Sequence, residues 1–160
     1  MAKRPLRILF DAHPLVGQKT GVGYYETSLL LELARQHPKD LVLTGYYYDF
    51  LLRKKVSGLP AAPNIRYRRI AWIPGKLVNL LRRLHVLLPI ELLTGLKADF
   101  LFYPAYLGHY SLFKTPSAPV IHDLTFVDLP ETGSKRNMHD LQSFVPTELA
   151  RASFVVTVSE

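Results

Sequence analysis

The sequence has 160 residues, 48 % of them hydrophobic and 21 % charged, with no cysteine. This length and composition suit one domain with a substantial core and exclude a disordered chain, a disulfide scaffold and cysteine-based zinc sites. The formal net charge of +7 is uneven, with 16 Lys/Arg and 6 Asp/Glu in residues 1–97 against 4 and 7 in residues 98–160, so the basic half suits either an anionic partner or a solvated basic surface.

Arg7 to Asp11 is a short apolar run closed by an acid, as in a buried strand. Asp11 interrupts the run early and no small-residue cleavage site follows, which argues against a signal peptide. A loop from His13 to Thr20 leads into a helix from Gly21, with Val22, Tyr25, Leu29 and Leu33 at helical spacing and Pro38 as its stop. Leu41 to Tyr48 reads as a second strand and Asn64 to Ile70 as a third. The Pro- and Ala-containing stretch 57–63 between them is a surface loop.

Residues 75–88 have helical spacing, and Pro89 breaks the helix or restarts it before Leu96. Residues 74–96 combine Lys76, Arg82, Arg83 and His85 with a leucine-rich run. Such a segment can lie on an anionic membrane surface or pack its leucines against a sheet. Its apolar core is too short and too polar to span a bilayer. Ala98 to Tyr103, Pro119 to His122 and Ser153 to Val158 are the fourth, fifth and sixth strands. A helix over Lys135 to Ala152 presents Met138, Leu141, Val145 and Leu149 on one face, with Pro146 as a kink or a second start. Strands alternating with helices predict an α/β fold, a Rossmann-like parallel sheet with helices on both faces. Ligands of such sheets gather at the carboxyl ends of the strands.

Three constellations stand at those ends. Gly17 to Gly23 is a glycine loop before the first helix, but it matches neither a Walker A loop nor the dinucleotide fingerprint. It is either a phosphate site, through amides at the helix N-terminus, or a structural turn. His122-Asp123 closes the fifth strand. The histidine can bond a substrate hydroxyl or take part in proton transfer, and Asp123 can orient it or cap the next turn. A loop histidine satisfied by the backbone is the plainer reading. Ser159, after the sixth strand, sits in helix-cap sequence.

Taken in order, these segments resemble the N-terminal domain of glycosyltransferase family 4, the group 1 glycosyltransferases of GT-B fold. The resemblance rests on Arg7 to Leu15, Thr20 to Tyr25, Leu29 to Leu33, Ala98 to Pro104, Val120 to Leu124 and Ala152 to Glu160, and so spans nearly the whole chain. It implies retaining transfer of a sugar from a nucleotide diphosphate sugar to an acceptor hydroxyl, with no essential metal and no further cofactor. Residues 1–160 would form a single acceptor-side domain. The family's donor-binding domain, with its paired-glutamate motif, has no counterpart here, so these residues alone are expected to be inactive.

The same resemblance places Gly21 and Gly23 near the donor diphosphate or the reacting sugar, His122 against the transferred sugar with Asp123 supporting its loop as the catalytic pair, and Ser159 on the cleft floor. The opening Asp11-Ala12-His13-Pro14-Leu15 resembles the mannosyltransferase branch that builds cell-surface polysaccharide. A glycan or lipid-linked acceptor is expected, with no nucleic acid partner. The expected location is the cytoplasm or the inner face of the cell membrane. A non-catalytic Rossmann-like binding module is the alternative.

Overall fold

The computed structural model describes residues 4–52 and 56–158. Six strands alternate with helices: β1 (Leu6–Asp11), α1 (Gly21–Gln36), β2 (Leu41–Tyr48), β3 (Ile65–Ile70), α2 (Gly75–Arg83), α3 (Ile90–Thr94), β4 (Phe100–Tyr103), β5 (Ser117–Ile121), α4 (Thr125–Asp128), α5 (Lys135–Arg151) and β6 (Val156–Thr157). They form one sheet in the order β3-β2-β1-β4-β5-β6, and every pairing is parallel. The order reverses between β1 and β4. At such a switch point the crossovers run to opposite sides and leave a crevice outside the strand ends.

Alternation along β1 explains the two layers. Leu9 faces a core shared with Tyr46, Leu101 and Tyr103, covered by Val78 of α2 and by Ile90 and Leu93 of α3. Phe10 faces the other side, with Leu43 and with Leu30 and Ala34 of α1. A third cluster joins Ile121 of β5 to Phe126, Leu141 and Val145, so the predicted apolar face of α5 is the one that packs. Pro146 lies inside α5 without ending it.

The buried stripe of α1 is Gly23, Glu26, Leu30 and Ala34, one residue round from the expected Val22, Tyr25, Leu29 and Leu33. Gly23 is the reason. A Cβ there would lie 2.4 Å from the Pro14 carbonyl oxygen, so only glycine lets the helix start press onto the turn that follows β1. Leu30 and Ala34 then meet the sheet, and Glu26 goes in with them. The fourth strand begins at Phe100 rather than Ala98, because Asp99 is held by Arg4 and Arg7 beside the start of β1.

The 74–96 segment is two short helices with a break. Pro89 caps α3, and His85 takes a left-handed φ of 58° just past α2. Val78 is buried, whereas Leu77, Leu80 and Leu84 are exposed. Among the described residues, no helix is long and apolar enough to cross a membrane.

Candidate functional site

The crevice at the switch point starts from Asp11, the last residue of β1. Its Oδ1 accepts from the His13 amide at 2.9 Å and from His13 Nδ1. His13 Nε2 in turn accepts from the Tyr48 amide at 2.9 Å, at the end of β2. Both ring nitrogens are therefore engaged, and the proton sits on Nδ1. Burial pushes the Asp11 carboxyl up, but the His13 ring and amide outweigh it and hold the group below its usual range.

The loop after β4 closes the crevice from the other side. Gly108 lies flat on the Tyr103 ring, where a Cβ would come within 2.3 Å of a ring carbon. That approach brings His109 to the centre. Its carbonyl accepts from Tyr103 Oη at 2.6 Å, and its Nε2 lies 3.0 Å from Tyr48 Oη. Burial first, then the neighbouring Arg82, pushes His109 down to about 3, so the ring is neutral and Tyr48 donates to it. Arg82 Nη2 donates to the Gly108 carbonyl at 2.7 Å, and Arg83 pairs with Asp140 of α5 through Nε and Nη2 on one guanidinium edge. The cleft so formed has a volume of about 730 Å³. Its walls combine the rings of Tyr48, Phe50, Tyr106 and Phe144 with the planar polar groups of Asn79 and Asn137.

The end of β5 lies across Tyr106 from this cleft. Strand β5 spans Ser117–Ile121, so His122 stands just past it. His122 Nε2 donates to the Pro104 carbonyl at 2.6 Å. Its Nδ1 has no hydrogen-bond partner among the described residues. The ring stands edge-on to Tyr25 at 5.3 Å and to Tyr106 at 6.1 Å between centroids. Asp123 accepts from the Thr125 amide at 2.9 Å, which fixes the turn that leads into α4. That amide, ahead of the Thr125 and Tyr106 hydroxyls, holds its carboxylate below the usual range.

Gly21 lies at the start of α1 with open space where a Cβ would be, while Gly23 has the packing reason given above. Ser159 lies outside the described residues. Beneath the loop, Glu26 is wholly buried, and neither carboxyl oxygen has a hydrogen-bond partner among the described residues. Burial, reinforced by Asp11, pushes it up to about 9.

The structure thus brings Gly21, Gly23, His122 and Asp123 to one edge of the sheet but does not join them to a single cluster. The better-formed cavity belongs to residues that sequence spacing did not single out: His13, Tyr48, Arg82, His109 and Asp140. The loops after Asp11 and Tyr103 carried a signal, as the ends of the first and fourth strands. No family model, no curated protein and no solved structure matches this chain.

Proposed function

We propose that this chain is the acceptor-side domain of a retaining glycosyltransferase. The enzyme would move a sugar, with mannose the leading candidate, from a nucleotide diphosphate sugar to a hydroxyl of a cell-surface or lipid-linked glycan. One observation carries the reading. A parallel sheet opens at its switch point into a cleft of aromatic faces and planar polar groups, with the His122 ring on the far side of Tyr106 from it. Aromatic faces stack on the apolar sides of sugar rings, and planar amides and carboxylates bond their hydroxyls. The cleft falls within the about 300–1,000 Å³ typical of small-ligand sites.

His122 Nδ1 is the nitrogen that would accept a hydrogen bond from the transferred sugar or its acceptor. The Pro104 carbonyl fixes its tautomer and direction. Asp123 supports this role indirectly, by holding the turn after His122. The N-terminus of α1, from Gly21, would turn amides toward the donor diphosphate. The leaving diphosphate would serve as base toward the acceptor, so no free carboxylate pair is needed. Asp11 and Asp140, held by His13 and Arg83, would position rather than react.

The outer face of α2 supports a membrane partner. Leu77, Leu80 and Leu84 form an exposed stripe at helical spacing, with Lys76 beside it. Arg82 and Arg83 are tied into the cleft, so insertion of leucine rather than basic charge would lead the attachment.

Calorimetry tests the reading. The chain is expected to bind short glycans and to bind uridine or guanosine diphosphate sugars weakly or not at all. Micromolar affinity for a nucleotide sugar would contradict the acceptor-side assignment.

A further inference from the structure

The cleft is not an isolated hole. A second cavity of about 330 Å³ shares Arg83, Asp140 and Phe144 with it and adds His85 and His139. A third, of about 670 Å³, shares His85 with the second and His109 with the first. The third is lined by Leu101 of β4 and by Ser117, the first residue of β5, so it lies away from the carboxyl edge. These shared residues make the three cavities neighbours, set in succession from the crevice along a face of the sheet.

Helix α5 runs the length of that succession. Asn137 and Asp140 line the cleft, Asp140 and Phe144 the middle, and Glu148 and Arg151 the far cavity. Their spacings of three, four, four and three residues mark one stripe of the helix. The stripe covers about 21 Å at 1.5 Å per residue. The core stripe of the same helix, Met138, Leu141, Val145 and Leu149, lies roughly a third of a turn away. A helix needs one apolar stripe to pack on a sheet; in the second stripe Asp140 pairs with Arg83 and Phe144 meets His85, while Asn137 and Arg151 stand exposed at its two ends.

We infer that these neighbouring cavities form a trough that binds an oligosaccharide chain of three or more sugars, with its growing end in the crevice and the preceding sugars along α5. This rests on the glycosyltransferase reading and names the acceptor class for the same site. The lining selects the occupant. Ser111, Thr115, Ser117 and Ser153 present hydroxyl chemistry in the far cavity, with Lys114 and Arg151 opposed by Glu148. A lipid tail would desolvate those groups without bonding them. A polyanion would meet Asp140 and Glu148. The Phe144 and His85 rings meet edge-on, with centroids 6.4 Å apart, and line the middle cavity with aromatic surface on which a pyranose can rest.

Four of the six histidines, His13, His85, His109 and His139, line these cavities, whereas His37 sits at the far end of α1. Imidazole NMR signals therefore map occupancy. The chain is titrated with ladders of one to five linked mannose, glucose, galactose or N-acetylglucosamine units. At least one ladder is expected to gain tenfold or more in affinity between one and four units. Its longer members should shift His85, His109 and His139 together and leave His37 unmoved. Arg151→Ala, at an exposed position, should erase the gain of the longer members and leave the monosaccharide within twofold.

Affinity independent of length would overturn the trough while leaving the crevice as an acceptor site. Absence of binding by every ladder would overturn both. Shifts of the same three histidines by a polyprenyl phosphate in micelles, with none from the ladders, would overturn the glycan as occupant.

Discussion

The two sides of the switch point carry the same kind of residue and treat it differently. On the β1–β2 side, His13 is locked, with one nitrogen on Asp11 and the other on the Tyr48 amide. On the β5 side, His122 has one nitrogen fixed by a carbonyl and the other available. The first arrangement shapes a wall. The second holds a ring in place with a lone pair directed away from its anchor, as a group that meets substrate must be. Proximity to the cleft is thus a poor guide to role, and the hydrogen-bond inventory of each ring a better one.

The largest expected effect lies under the locked side. Glu26 is raised by burial to about 9, from an ordinary value of 4.5. An acid held neutral in the folded state contributes stability that is fully present below pH 4.5 and is lost as pH rises toward about 9. The slope for one proton reaches about 1.4 kcal/mol per pH unit. Glu26→Gln should flatten urea-denaturation stability across that window and raise it at pH 8. An unchanged slope would mean that the carboxyl finds a partner in solution.

Next in size is the direct comparison. Asp11→Ala removes two bonds to a carboxylate and should cost about 3 kcal/mol of unfolding free energy. His122→Ala should cost no more than about 1 kcal/mol, yet, on the proposed glycosyltransferase reading, lower sugar transfer about 10²-fold. Equal losses of stability would erase the distinction between wall and working group, and normal transfer by a folded His122→Ala protein would leave the ring structural.

The two glycines of the loop give a smaller contrast. Gly23→Ala forces the start of α1 off the Pro14 carbonyl and should destabilise by about 1–3 kcal/mol. Gly21→Ala meets nothing and should be neutral or stabilise by up to about 1 kcal/mol. Thermal melts of the pair decide it, and matched losses would show that Gly21 has contacts of its own.

Smallest is the membrane term. Leu80→Ser should reduce sedimentation with liposomes while Lys76→Ala changes it little, since the exposed face of α2 is mostly leucine. Binding that tracks anionic lipid and salt but ignores Leu80 would restore the electrostatic reading.

How much of this was legible follows from the range of the interactions. Strand β2 lies where its apolar and aromatic run places it, and the parallel order follows from alternation with helices. The rotation of α1 was hidden because it depends on Gly23 meeting Pro14, a contact between two segments. The sixth strand is only Val156–Thr157, since Ser153 and Phe154 turn their amides to the Ser117 carbonyl instead. His122 was visible at the end of an apolar run. His109 was not, because its environment comes from Tyr48, 61 residues away, and from Arg82. The second stripe of α5 was masked by the stronger apolar stripe beside it.

A crystal of the chain soaked with the tightest-binding trisaccharide tests the central claim most directly. The account predicts a terminal sugar in the crevice between Tyr106 and Asn79 and the remaining sugars against α5. Density for the terminal sugar outside the crevice, or for the remaining sugars along the outer edge of β6, would contradict it.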